Sequence, residues 1–250
     1  MKGRREVVVA RTKEGNAEFQ RMLSRHGIDA AAVEAIEFQD PGSWAEVDSA
    51  IAGISRFDWV AFTSPRGVVT FGRRLRALGM EAKGLGPKFA AVGPSTATAL
   101  GGIGIEAEYV PSKFQTSALG EGLPGGVGSR VLLLRADIGE KRLVATLQGR
   151  GFQVEDVSAY GTRFVSGPVE PELVREAKVV AFASPSEVEG FRRRLAGAEF
   201  RDLAARATAA CIGPVTALAA REAGFRSVVF PQEHTVDALA EKIGEMMVNA

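Results

Sequence analysis

The chain has 250 residues, 46% of them hydrophobic and 24% charged, with 29 glycines, 11 prolines and one cysteine. That composition fits one large or two small globular domains and excludes disorder, a collagen-like repeat and a disulfide scaffold. Lys+Arg is 31 against Asp+Glu 30, so the basic excess of a general nucleic-acid binder is missing, while local donors still allow an anionic ligand.

Met1-Lys2-Gly3-Arg4-Arg5-Glu6 has the charge of a signal-peptide start. The apolar run after it, Val7-Val8-Val9-Ala10, stops at Arg11 and falls short of the roughly seven residues such a leader needs. No stretch approaches the roughly 18 apolar residues of a membrane-spanning helix. The expectation is a cytoplasmic protein without membrane contact. Residues 7–10 read as a first strand, and Phe19, Met22 and Leu23 as the buried face of a first helix. Further apolar runs follow at 59–62, 89–92, 131–134, 179–183 and 209–212, with weaker ones at 109–110 and 228–230. Most are continuous rather than alternating, which suits parallel strands buried on both faces. Helical patterns lie between them: Val68, Phe71, Leu75 and Leu78 share one face, as do Leu143 and Leu147. Strand–helix alternation of this kind means α/β.

The only cysteine, Cys211, sits in Ala209-Ala210-Cys211-Ile212 and reads as a buried small hydrophobe that fits a reducing compartment. The two histidines, His26 and His234, have no Cys or acidic companions at metal-ligand spacing, so no metal is expected.

The chain repeats itself. Trp59-Val-Ala-Phe-Thr-Ser-Pro65 matches Val179-Val-Ala-Phe-Ala-Ser-Pro185 at a spacing of 120 residues. Phe71 with Phe191, Leu75 with Leu195, Gly93-Pro94 with Gly213-Pro214, and Pro111 with Pro231 keep that spacing. Nearer the start it is 124, pairing Arg11 with Arg135, Leu23 with Leu147 and Gly27 with Gly151. The expectation is an internal duplication, roughly 4–124 and 128–250, joined by Gly125-Gly126-Val127-Gly128, with a second break at 162–171.

Four strand ends enter helices through similar turns: Thr63-Ser64-Pro65, Gly93-Pro94-Ser95-Thr96, Ser184-Pro185-Ser186 and Gly213-Pro214-Val215-Thr216. Ser64 and Ser184 suit the N-cap, Pro65 and Pro185 the first helical position, and Gly93 and Gly213 a close backbone approach. Ordinary capping explains any one of them. As a set, at the carboxyl ends of strands in an open α/β sheet, they offer several anion-accepting helix starts. Arg11 and Arg135 end the first strand of each copy, where a guanidinium is either a surface charge or a bidentate partner for a carboxylate. Tyr160 follows the alternating segment 152–159 and reads as a half-buried strand residue. Neither a dinucleotide nor a Walker fingerprint is present, and no nucleophile–base set or carboxylate dyad stands out.

In order and spacing these motifs resemble the uroporphyrinogen-III synthase family over nearly the whole chain. The matching residues are Val60-Ala-Phe-Thr-Ser-Pro65, Ala91-Val-Gly-Pro-Ser-Thr96, Pro111 with Thr116, Val131-Leu-Leu-Leu-Arg135, Arg150-Gly-Phe-Gln-Val154, Tyr160-Gly-Thr162, Phe182-Ala-Ser-Pro185, Ile212-Gly-Pro-Val-Thr216 and Pro231 with Thr235. Gly161 and Ala183 depart from the family, which often carries a polar or basic residue and a threonine there. The resemblance implies two flavodoxin-like parallel-sheet domains joined by a two-stranded β-ladder hinge. Residues 1–36 and 170–250 would form one domain and 49–157 the other, with 37–48 and 158–169 as the linker ladder.

It also implies the reaction. Hydroxymethylbilane, a linear tetrapyrrole, is closed to uroporphyrinogen III with loss of water and inversion of the terminal pyrrole ring, without metal or organic cofactor. Such a substrate carries carboxylates on every ring and is already reactive. Positioning in an interdomain cleft then matters more than a strong acid or base. Tyr160 would assist the leaving hydroxyl. Arg11, Thr63, Ser64, Gly93, Ser95, Thr96, Arg135, Ser184, Ser186, Gly213 and Thr216 would hold the substrate. The expected partner is this small molecule, with channelling from hydroxymethylbilane synthase as the expected protein contact and a monomer as the state. The rival readings are a tetrapyrrole sensor or small-anion receptor without catalysis, and an enzyme acting on phosphorylated sugars.

Overall fold

The computed structural model describes residues 6–137 and 141–248, so the charged start at residues 1–5 lies outside the described residues. In chain order the elements are β1 (Val7–Arg11), α1 (Lys13–Arg25), β2 (Ala30–Glu34), β3 (Ile36–Gln39), α2 (Ala45–Ala52), β4 (Trp59–Phe62), α3 (Pro65–Ala77), β5 (Lys88–Ala91), α4 (Pro94–Gly102) and α5 (Thr116–Gly122). There follow β6 (Arg130–Ala136), α6 (Lys141–Gly149), β7 (Gln153–Phe164), α7 (Pro171–Arg175), β8 (Val179–Phe182), α8 (Pro185–Arg194), α9 (Gly197–Arg206), β9 (Thr208–Cys211), α10 (Pro214–Ala223), β10 (Ser227–Val229) and α11 (Val236–Val248).

The chain clusters into two compact units, Met1–Phe38 with Arg163–Ala250, and Gln39–Thr162. It passes from one to the other inside β3 and inside β7. The first sheet has the order β10-β9-β8-β1-β2, and its four neighbouring pairs are parallel. The second has the order β3-β7-β6-β4-β5, with parallel pairs from β7 to β5 and an isolated parallel bridge from Ala90 to Tyr109 beyond it.

Both units put helices on both faces, because successive strand residues point to opposite sides. In the first, Val8, Ala10, Val180 and Phe182 pack with Phe191, Phe200 and Phe225, while Val7, Val9 and Ala181 pack with Phe19, Leu23, Leu239 and Ile243. In the second, Val60, Phe62, Leu132 and Leu134 pack with Ile51, Phe71, Leu75 and Leu100, while Trp59, Ala61, Val131 and Leu133 pack with Leu119, Leu143 and Leu147.

Three readings of the sequence need correction, and one strand, β2, has no counterpart among them. Leu78 is not on the buried face of α3: it caps the helix at its C-terminal end and is 37% exposed. Residues 109–110 make only the bridge at Tyr109 instead of a strand. The segment read as a break at 162–171 begins inside β7, which runs to Phe164. The strand β2 carries Ala30-Ala31-Ala32, an alanine run that propensity alone does not assign to a sheet.

Candidate active site

Within each sheet the direction of strand addition reverses once, between β1 and β8 in the first unit and between β6 and β4 in the second. In open α/β sheets the crevice at such a reversal, at the carboxyl ends of the strands, is where ligands bind. Arg11, Ser184 and Ser186 fall at the reversal of the first unit and Thr63, Ser64 and Arg135 at that of the second; Gly93, Ser95 and Thr96 follow β5, Gly213 and Thr216 follow β9, and Tyr160 lies within β7.

In the second unit β4 runs into α3 through Thr63 and Ser64, both half-buried. Ser64 is the N-cap: its Oγ accepts a hydrogen bond from the Gly67 N–H at 3.2 Å, satisfying a donor that the first turn would leave bare. A side chain at Gly67 would begin 2.8 Å from the Leu134 carbonyl, so glycine lets α3 start directly against β6. The same Ser64 Oγ lies 2.8 Å from the Tyr160 hydroxyl. Tyr160 reaches it because of an irregularity in β7. Arg135 is paired with Ser158 but Ala136 with Tyr160, so Ala159 is an extra residue. Such a bulge re-aims the side chains after it, and here Ala159 and Tyr160 both enter the same core cluster. Asp137 fixes the turn: its N–H donates to the Tyr160 carbonyl at 2.9 Å, and its Oδ1 accepts from the Thr162 N–H at 3.0 Å.

Burial pushes the Tyr160 phenol above its usual pKa of 10, opposed by the hydrogen bond from Ser64 and the nearby charge of Arg66. Tyr160 is therefore protonated at neutral pH, and Ser64 is placed to donate to its oxygen if the proton leaves. Arg135, only 5% exposed, makes two hydrogen bonds of 2.6 Å to the Asp156 carboxylate on the adjacent strand. The guanidinium read as a substrate ligand thus has a bidentate carboxylate partner inside its own unit.

In the first unit Arg11 ends β1. Its backbone N–H donates to Asn16 Oδ1 at 3.0 Å, Nη1 donates to the Gly15 carbonyl at 3.4 Å, and the guanidinium carbon lies 5.8 Å from the Phe19 ring centre. Its buried Nε faces Glu187 Oε1 at 3.5 Å. Ser184 caps α8, with its Oγ accepting from the Glu187 N–H at 3.3 Å and lying 3.0 Å from Ser186 Oγ. Glu187 in turn accepts from the Ala183 N–H. The two form a reciprocal cap of the Ser-x-x-Glu kind. Burial pushes the Glu187 carboxyl up to about 7, against the pull of Arg11 and the backbone donors.

The remaining two starts are alike. Gly93 and Gly213 are the N-caps of α4 and α10, both in extended backbone. What they need is space: a Cβ would lie 3.1 Å from Phe114 in one case and 3.1 Å from His234 in the other. Thr96 and Thr216 are buried, at 1% and 3% exposure, whereas Ser95 and Val215 beside them face solvent. Among the described residues no group of three or more His, Cys, Asp or Glu could hold a metal, and no helix is long and apolar enough to cross a membrane.

Sequence reasoning missed Asp156, Asp137 and Glu187. The spacing from Ser184 to Glu187 was a readable cap signal; the other two depend on strand register.

Comparison with known proteins shows the family. The family model described as uroporphyrinogen-III synthase HemD matches residues 17–241. A uroporphyrinogen-III synthase of Synechococcus elongatus is 31% identical over 93% of this chain and 92% of its own length. The chloroplastic uroporphyrinogen-III synthase of Oryza sativa is 28% identical over 97% of this chain and 80% of its own. A mutant uroporphyrinogen III synthase of Thermus thermophilus has the same fold, with a TM-score of 0.69 at 20% identity over 98% of this chain and 99% of its own. With the family match and the first of these relatives each spanning most of its length, the chain belongs to the uroporphyrinogen-III synthase family.

Proposed function

We propose that the chain cyclises hydroxymethylbilane to uroporphyrinogen III, with loss of water and inversion of the terminal pyrrole ring, a lyase step of porphyrin biosynthesis. The observation that carries the catalytic part is the 2.8 Å hydroxyl pair of Tyr160 and Ser64 at the sheet reversal of the second unit. A phenol that keeps its proton at neutral pH can hand it to the departing hydroxyl, which leaves as water. Ser64 Oγ, already accepting from Gly67, then donates to the phenolate oxygen. The proton released when the ring closes restores the phenol, so the cycle balances without redox chemistry.

Most of the rate comes from holding one conformer of a substrate that is reactive by itself. In this reading its carboxylates are taken by the helix starts of α3, α4, α8 and α10 and by Arg11, with Thr63, Ser95, Ser186 and the backbone at Gly93 and Gly213 nearby. Thr96 and Thr216 support those starts from inside. Arg135 acts through its pairing with Asp156, which orders the strand that carries Tyr160. One bilane is held by both units, and the crossings in β3 and β7 serve as the hinge. The units are copies of one α/β ancestor, a reading supported by the residue matches at a spacing of 120 and by the shared strand order. The enzyme works in the cytoplasm as a monomer.

Freshly made hydroxymethylbilane is incubated with the protein, and the oxidised products are separated by isomer. Isomer III in excess of the uncatalysed isomer I is expected; isomer I alone from folded protein rejects the reading. Tyr160→Phe is expected to lower kcat about 10- to 100-fold and leave KM within about twofold. Thr216→Ala is expected to raise KM more than it lowers kcat, measured on the same assay.

A further inference from the structure

Glu187 has no counterpart in the second unit. At the spacing of 120 its place is taken by Gly67, whose missing side chain lets the Leu134 carbonyl come close. In the first unit the same point of the sheet reversal is filled by a carboxyl group that is 5% exposed. That group uses donors a bound anion would use: the Ala183 N–H at the end of β8 and the Arg11 guanidinium at the end of β1. It is thus an internal anion seated in the ligand crevice of its own sheet.

The seat is imperfect. The Arg11 contact is an ion pair at 3.5 Å, and the buried Nε makes no hydrogen bond. Backbone donors hold one oxygen of this buried carboxylate closely, but Arg11 meets the other only at ion-pair distance, so the lost water is incompletely replaced and the neutral form lies close in free energy. The other ionisable groups around it do not change this. Cys211 on β9 feels Glu187, and with burial its thiol is pushed up to about 12, so it stays neutral. Arg221 on α10 acts on Cys211 and is always charged. Ser184 and Ser186 on the same helix carry no charge. Glu187 is the one member of the cluster that changes charge near neutral pH.

We propose that Glu187 is a positioning residue of the reaction: ionised, it holds Arg11 in place, and when a substrate carboxylate reaches this crevice it yields Arg11 and takes up a proton from solvent. The crevice then exchanges its own anion for that of the substrate, with the charge around Arg11 unchanged. The inference rests on the reading that the strand ends of this unit receive substrate carboxylates. In protonated form Glu187 keeps its place as a reciprocal cap, so α8 is not disturbed by the exchange.

The probe for binding is the product, uroporphyrinogen III, kept reduced. Calorimetry at pH 7.5 in phosphate and in Tris separates proton uptake from binding heat. Uptake of about half a proton or more per ligand is expected for the wild type, and none from this site for Glu187→Gln, which mimics the neutral acid. The substrate carboxylates stay ionised across this range and do not titrate. In steady state, KM for hydroxymethylbilane is expected to rise towards tenfold per pH unit above 7 in the wild type, and less than about twofold in Glu187→Gln. Unchanged proton uptake and an unchanged pH slope in the glutamine variant overturn the proposal. If Arg11→Ala and Thr216→Ala both leave KM within twofold, the reading of these strand ends fails instead. Should Glu187→Gln not fold, the wild type labelled at its glutamate carboxyl carbons serves by NMR. The resonance that titrates near neutrality must move to higher pH when product binds, and a fixed midpoint refutes the exchange.

Discussion

At the sheet reversal of the first unit Arg11 faces a carboxylate, Glu187, supplied by α8, the helix that follows the neighbouring strand β8; at that of the second, Arg135 faces one supplied by the adjacent strand β7, Asp156. The first pair is loose, and its acid sits near neutrality; the second is bidentate, at 2.6 Å. A serine caps the helix in both, but Ser184 has Ser186 at its hydroxyl where Ser64 has Tyr160. Two sites of one topology thus diverge in their second partner. Desolvation and hydrogen-bond geometry, rather than residue type, decide which group is a fixed support and which can change its proton.

The pH dependence of stability gives the largest expected contrast. A carboxyl whose pKa is raised in the folded chain binds more protons folded than unfolded, so ionising it opposes folding. Stability should therefore fall as pH rises from the ordinary value of 4.5 to about 7, by roughly 3 kcal/mol from Glu187 alone, and stay lowered above that. Urea unfolding of wild type and Glu187→Gln at pH 5 and pH 8 tests it: the glutamine variant should lose most of this slope. Equal slopes would mean that Glu187 is ionised at both pH values.

Removing the two arginines should cost differently. Arg135→Ala leaves Asp156 facing a cavity and is expected to destabilise by about 2 kcal/mol at pH 6 and pH 8 alike, the figure being lowered because Asp156 is partly exposed. Arg11→Ala leaves an acid that simply stays protonated, so about 1 kcal/mol or less is expected at pH 6, with a larger cost at pH 8. Identical costs at both pH values for Arg11→Ala would erase the distinction drawn between the pairs.

The caps give the smallest contrast. Ser64→Ala and Ser184→Ala should each cost about 1 kcal/mol in thermal or urea unfolding. Only Ser64→Ala should also lower kcat, because it removes the hydroxyl beside Tyr160.

Much of this was legible in the residues. Continuous apolar runs located most strands, and Ser-Pro and Gly-Pro turns located four helix starts, because both signals are local. The failures were non-local or ambiguous. The alanines of β2 favour a helix until β1 pairs with them at Val7–Ala30. Alternation along the chain puts Tyr160 on its strand, but its reach to Ser64 depends on the extra residue Ala159, visible only in the register with β6. The apolar runs put Arg11 and Arg135 at strand ends. Their carboxylate partners depend on which helix or strand lies next to each, and no spacing along the chain specifies that.

The crossing of the chain inside β3 and β7 has a bearing on how the molecule is made. Residues Val7 to Val9 find their β8 partners only at Val179 to Ala181, after the whole of the second unit has been synthesised. That second unit is one continuous stretch and can finish first as the chain emerges, while the valine-rich β1 waits with one edge unpaired. Its completion brings β3 and β7 side by side in one sheet. The long span that would otherwise have to close at random is thereby shortened, each halving being worth about 0.6 kcal/mol of chain entropy. Assembly order is therefore written into the connectivity: a lesion that delays the inserted unit strands an adhesive β1, and should show itself as aggregation during synthesis before it shows as lost activity.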